Sequence, residues 1–413
     1  MTIQPRRHAA LQAGTAAERA NQRNALLAGF LGWTLDAFDF FILVMVLDAV
    51  AKDFGRTRPE IALTLTASLA MRPIGAVLFG IMADRYGRRL PLMLDLVFYS
   101  VIEVLSGLAP DYTTFLILRL LFGIGMGGEW GVGASLAMES VPAKWRGVLS
   151  GVLQEGYALG YLLAAIAYFG VFPYFGWRVM FFLGGLPALL SLFVRARVKE
   201  SQAWHEHRLA DWRSYTRAIA ANWRRFAYLV VLMTTMAMIS HGTQDMYPTF
   251  LQHQRQFTPQ QTAMITIISM IGAIAGGILF GLLSDRIGRR RAMIAAAVCG
   301  AALVPLWVFA PSTALIVVGA FAMQFMVQGA WGVIPAHINE LSPGALRGFL
   351  PGTAYQVGVL CASIITYIEA VLGELFTYAQ AMGLLAAIML LVAATIVAAG
   401  PEAHGVSFRK AAG

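Results

Sequence analysis

Run after run of about 20 apolar residues, the length a helix needs to cross the hydrocarbon core of a bilayer, fills this chain between residues 25 and 399. The pattern reads as twelve helices, at 25–50, 61–83, 90–109, 113–139, 147–171, 177–195, 226–252, 260–284, 291–310, 313–338, 348–373 and 375–399. Of 413 residues 58% are apolar and 13% are charged. A soluble domain carries about twice that charged fraction, so the two or three water-exposed domains that the length would allow are excluded. The longest polar stretch, 196–225, separates six helices from six. The expected organisation is an all-α, multi-pass membrane protein with a tail at 1–24, a six-helix bundle at 25–195, a central loop at 196–225, a second six-helix bundle at 226–399 and a tail at 400–413.

The formal charge of +9 would suit nucleic acid, but its distribution points elsewhere. With the N-terminus inside, the internal segments hold 24 of the 31 Lys and Arg, the external loops hold 5, and Arg72 and Arg119 lie within spans. That asymmetry predicts both tails and the central loop on the cytoplasmic side of a plasma (inner) membrane. The first 24 residues carry Arg6, Arg7, Arg19 and Arg23 without the apolar core of a secretory signal, which agrees with a retained N-terminus. The partners expected are the bilayer and a small solute, not nucleic acid. Cys299 and Cys361 both fall in apolar runs and read as packing residues, so neither a disulfide framework nor a metal site is expected.

One register relates the two halves. Gly80-Ile-Met-Ala-Asp84-Arg-Tyr-Gly87-Arg-Arg recurs 201 residues later as Gly281-Leu-Leu-Ser-Asp285-Arg-Ile-Gly288-Arg-Arg. The same offset of 201 carries Trp130-Gly131-Val132 onto Trp331-Gly332-Val333, Glu139 onto Glu340, and Arg146-Gly147 onto Arg347-Gly348. Parallel copies of a six-helix unit place a substrate site between them near the bilayer midplane.

The repeated Gly-x-x-x-Asp-Arg-x-Gly-Arg-Arg loop and the twelve spans resemble the major facilitator superfamily over essentially the whole chain. Ser240-His241-Gly242-Thr243-Gln244-Asp245 with Thr249 in span seven is similar to the signature of the sialate:proton symporter branch, which includes sialic acid and lactate or other monocarboxylate permeases. That signature has Asn three residues before the Ser, where this chain has Ala237. Asp36-Ala-Phe-Asp39 in span one is similar to the Asp-Gly-Phe-Asp motif of organic-acid:proton symporters, the aromatic-acid group included. The resemblance implies a monomeric secondary carrier without a cofactor, taking up a small organic anion such as lactate together with a proton; sialic acid is the alternative substrate. A drug antiporter fits less well, because the fifth-span stretch Gly147 to Gly156 has no Pro after Gly151. An enzyme is not expected, since no nucleophile–base set or cofactor loop is recognisable.

A charge at bilayer depth costs at least a few kcal/mol, so each one needs a partner or a task. Asp36 and Asp39 are one helical turn apart, which suits a shared proton or pairing with an arginine. Arg72 could hold a substrate carboxylate with two hydrogen bonds or neutralise Asp36, Asp39 or Asp245. Arg119 occupies the position of the fourth-span arginine that the wider family associates with proton coupling, and Glu129, about 15 Å further along the helix, is too far to pair with it. Ser240, His241, Thr243, Gln244 and Asp245 form a polar cluster in which His241 and Asp245 share a face. Gln324, Gln328, Tyr355 and Gln356 are candidate donors to substrate oxygens or helix-to-helix bonds; Asp95, Glu103 and Glu155 have no assigned role, and His205 and His207 are expected in water. At the cytoplasmic ends Asp84, Arg85, Arg88, Arg89, Glu139 and Arg146, with Asp285, Arg286, Arg289, Glu340 and Arg347, read as a conformational latch.

Overall fold

A computed structural model describes residues 16–209 and 211–408, so Arg6 and Arg7 and the last five residues of the C-terminal tail lie outside the described residues. All regular structure among them is helical. Span one is Ala16–Asp53, span two Arg58–Tyr86, span three Arg89–Gly107 and span four Tyr112–Ser140. Span five is split into Arg146–Gln154 and Gly156–Gly170, and span six into Phe172–Leu183 and Pro187–Arg197. Span seven begins as Trp223–Gln244 and continues through a turn at Tyr247–Thr249 into a wide π turn at Phe250–Gln254. Spans eight, nine, ten and twelve are Pro259–Ile287, Arg289–Val308, Thr313–Leu341 and Tyr378–Ala399. Eleven of these stretches are long and apolar enough to cross a membrane by themselves. The single eleventh helix expected at 348–373 is instead two pieces, Leu350–Ala362 and Ile364–Leu375, parted at Ser363.

Capping residues set several helix starts. Asp111 accepts from the Thr114 N–H at 2.9 Å, and that bond holds its carboxyl below the usual carboxylate range. Pro173 and Pro259 occupy first-turn positions of their helices, where a missing N–H costs nothing.

Without a hydrophobic drive between helices in lipid, close packing depends on small residues. Gly75 of span two lies so near span four that a Cβ there would stand 1.7 Å from the Ile124 carbonyl oxygen; Gly276 of span eight repeats this against Phe325 at 1.9 Å. The pairs are related by the repeat offset, so the sequence duplication is also a duplication of packing. Across the halves the same symmetry appears with partners exchanged, Gly80 meeting Gly348 and Gly281 meeting Gly147.

The central loop is structured. Helices Gln202–His207 and Trp212–Ala221 lie within it, and Trp204 donates to the Asp84 carbonyl at 2.7 Å while Tyr215 donates to the Asp84 carboxylate at 3.0 Å. His205 is exposed as expected, but His207 is half-buried against Gly344. Cys299 and Cys361 are exposed on outer helix faces and not packed inside the bundle.

Candidate functional site

Two groups of polar side chains occur in this fold, one at the end of the bundle rich in Arg, the basic face, and one at mid-depth. On the basic face Arg88 pairs with Asp84 at 2.7 Å and Glu139 at 3.0 Å, and Arg289 pairs with Asp285 at 2.8 Å and Glu340 at 2.9 Å. Burial alone would lower the guanidinium pKa of Arg88, but the Glu139 and Asp84 carboxylates around it hold that pKa above the ordinary value. Each repeat then crosses to the other. Arg347 binds Glu139 at 3.2 Å and Arg146 binds Glu340 at 2.9 Å. Asp84 accepts from the Gly348 and Phe349 amides, and Asp285 from the Gly147 and Val148 amides. The Phe408 ring lies between the Arg146 and Arg347 guanidiniums, 3.7 and 3.8 Å from its centroid. These bonds close the basic face.

Three arginines grouped with this network stand outside it. Arg85 turns to the central loop, donating to the Leu209 carbonyl at 3.1 Å and stacking on Trp212. Arg89 donates to the Arg195 carbonyl, and Arg286 is exposed. Their side chains project from the outer faces of the helix ends, away from Glu139 and Glu340. Two glutamates take a place that the sequence reading leaves empty: Glu200 accepts from the Arg88 and Arg89 amides and Glu402 from the Arg290 amide. They sit at corresponding ends of the two halves, one residue off the repeat register, and that small slip hides them.

At mid-depth, span one contributes Asp36 and Asp39, both fully buried. Arg72 reaches Asp36 with one nitrogen at 3.4 Å, and its Nε has no partner. Neither Asp39 oxygen has a hydrogen-bond partner. Arg119 is held by Glu103 at 2.5 Å and Ser106 at 2.6 Å, with its guanidinium among Phe115, Phe122 and Phe181. Glu103, unassigned from sequence, is therefore the fourth-span arginine's partner; sequence spacing within one helix cannot show a contact made between two. Glu129 is buried against Gly32 and both of its oxygens lack partners, as do those of Asp95.

The second half supplies the polar cluster of span seven. His241 faces Asp245 at 3.2 Å, and both are partly exposed. Gln244 donates to Gln324 of span ten at 2.9 Å, whose own amide reaches Thr243 at 3.3 Å. Ser240 and Gln328 are half-buried, and neither amide atom of Gln356 has a partner although the side chain is buried. Tyr355 stacks 4.3 Å from Trp130, with Trp33 and Trp331 at its edges. Tyr157 of span five stacks on Trp33 at 5.5 Å, and through Trp33 and Trp130 the first half meets Tyr355 of the second. In the sequence Trp130 and Trp331 mark only the repeat; in the fold they join Trp33 and Tyr355 as one aromatic group between the halves.

The sequence profile of the sugar (and other) transporter family matches residues 24–222 and 226–402. Among relatives, a probable 4-methylmuconolactone transporter of Cupriavidus pinatubonensis is 30% identical, the alignment covering 94% of this chain and 92% of that protein. The sialic acid transporter NanX of Escherichia coli is 30% identical over 85% of this chain and 88% of its own. A carboxylic acid transporter protein homolog of Saccharomyces cerevisiae is 29% identical over 85% of this chain, which spans 61% of that longer protein. Among solved structures, the proton:xylose symporter XylE superposes with a TM-score of 0.75 at 19% identity, covering 94% of this chain and 98% of that one. With profile, relatives and architecture in agreement, the chain belongs to the sugar (and other) transporter family of the major facilitator superfamily, and is a multi-pass membrane transporter and not an enzyme.

Proposed function

We propose that this transporter takes up a small organic acid together with a proton by alternating access. The observation that carries the reading is that Asp39 and Glu129 are buried with neither carboxyl oxygen partnered, in a fold where Arg72 gives Asp36 a single bond. Two unpaired carboxylates in hydrocarbon are costly as ions and cheap as acids, which suits sites that load and unload a proton. The free edge of Arg72 suits a substrate carboxylate. Asp36, Asp39, Arg119 and Glu129 are assigned to proton coupling, and Arg72, Ser240, His241, Thr243, Gln244, Asp245, Gln324, Gln328, Tyr355 and Gln356 to substrate. The basic-face ion pairs are assigned to a latch that opens as the halves rock.

The basic face is assigned to the cytoplasm with both termini, the membrane to the plasma membrane, and the working unit to one chain, which holds both halves of the path. Relatives named for carboxylic acid and for sialic acid support an organic acid substrate. Sialic acid itself is the second reading, favoured by the 30% identity to NanX. Competition decides between them: uptake of labelled lactate into proteoliposomes is expected to fall with excess unlabelled lactate or pyruvate and not with sialic acid. Labelled sialic acid uptake without lactate uptake would reverse the assignment.

A further inference from the structure

Glu155 has no place in the scheme above. It stands at the break of span five, the one residue between Arg146–Gln154 and Gly156–Gly170. Nine residues beyond Arg146, it lies about 13 Å up from the basic face. Its side chain crosses to the other half: a Cβ on Gly277 of span eight would stand 2.1 Å from its Oε1, so the carboxyl fills the notch that this glycine leaves. Gly277 is ten residues before the basic-face end of span eight, at the same depth. Around it the seam is tight, with Gly151 against the Gly277 carbonyl and Ser150 donating to the Gly332 carbonyl at 2.7 Å.

Glu155 is 9% exposed, and its Oε1 is buried without a hydrogen-bond partner. The elements packed against it carry Asp36, Glu129, Asp285, His337, Glu340 and, on its own span, Arg146, and none of them bonds to it. A carboxylate ion with its Oε1 shut into this seam would have no cation and little water, at a cost of several kcal/mol. A neutral acid pays no such penalty. Parting the halves at the basic face removes Gly277 from Glu155 and admits water to it.

We propose that Glu155 is a proton site of the transport cycle that must be occupied for the basic face to close, and that gives up its proton to water on that side when the seam opens. The step is a protonation alone: carboxylate plus proton forms the acid on closing, and the acid ionises on opening. The proposal rests on the reading of the chain as a proton-coupled carrier, and makes span five's break a joint whose position depends on charge.

A thiol at Ser150, which is sealed in the closed seam, reports on it. In a Cys299→Ala, Cys361→Ala, Ser150→Cys protein, the labelling rate by a membrane-impermeant maleimide from the basic side is compared with Glu155 and with Glu155→Gln, so that the thiol's own pH response cancels. The ratio of the two rates is expected to rise at least about tenfold from pH 5.5 to pH 8.5, since one titrating group shifts a population tenfold per pH unit. Glu155→Asp is expected to keep most of that rise, which separates loss of charge from loss of the side chain. A ratio within about twofold at both pH values, or an Asp variant that behaves like Gln, overturns the proposal. Labelling needs no substrate and no gradient, so uptake that ignored the proton gradient would refute symport without touching this ratio, and a flat ratio would remove Glu155 alone.

Discussion

Asp39, assigned to coupling, and His241, assigned to substrate, are the two side chains on which the proposed function turns. Asp39 is buried without a hydrogen-bond partner, whereas His241 is partly exposed and faces Asp245. Replacing either with Asn removes its proton chemistry, at nearly constant volume for Asp39. Asp39→Asn is expected to abolish accumulation against a gradient while leaving equilibrative exchange, and His241→Asn to lower uptake at least about tenfold, a loss of about 1.4 kcal/mol. Gradient-driven accumulation at the parental level in both variants would remove the assigned roles. Glu103 answers to a different measurement. Its loss leaves the Arg119 guanidinium buried among three phenyl rings without its carboxylate, and breaking a buried pair from one side costs about 3–5 kcal/mol. Glu103→Gln is therefore expected to lower the melting temperature in detergent, and a melting curve equal to the parent's would show that Arg119 is neutralised elsewhere.

Helix contacts follow from the glycines, and most of them can be anticipated. Periodic apolar runs place most spans to within a few residues, although span one begins at Ala16 and not at 25, and the offset of 201 predicts that span two on four and span eight on ten pack alike, as Gly75 and Gly276 show. Two of the breaks are not legible. Glu155 and Ser363 interrupt spans five and eleven inside apolar windows that contain no proline at the break, and hydropathy cannot distinguish a continuous helix from two that meet end to end. The loop helices at 202–207 and 212–221 escape because their sequence is polar and their fixed points, Trp204 and Tyr215 on Asp84, are tertiary contacts. Glycine packing gives a direct test. Gly276→Ala forces a Cβ against the Phe325 backbone, which cannot yield as a side-chain tip would, and is expected to destabilise by about 1–3 kcal/mol. Gly170→Ala meets nothing within 4 Å and is expected to be neutral in the same melt. Equal melting of both variants would refute the close approach of spans eight and ten.

The two halves meet tightly at the basic face and join at mid-depth through Trp33, Trp130 and Tyr355. The ion pairs that join them, Arg347 to Glu139 and Arg146 to Glu340, exist only because the repeat places each half's arginine opposite the other's glutamate. Sequence supplies the residue types and their symmetric spacing; which arginine meets which carboxylate depends on the fold, and so does the exclusion of Arg85, Arg89 and Arg286. Removing both cross-half carboxylates, Glu139→Gln with Glu340→Gln, is expected to raise basic-side labelling of a thiol at Ser150 at least about tenfold, the equivalent of about 1.4 kcal/mol. An unchanged rate would mean that the Asp84 and Asp285 amide bonds alone keep that face shut. All of this serves one claim, that an acid and a proton cross together. Labelled lactate uptake into proteoliposomes, measured with an inward proton gradient and again after a protonophore has collapsed it, tests that claim most directly. Coupling predicts accumulation above the external concentration with the gradient and only equilibration without it, and identical uptake in the two conditions would contradict the account.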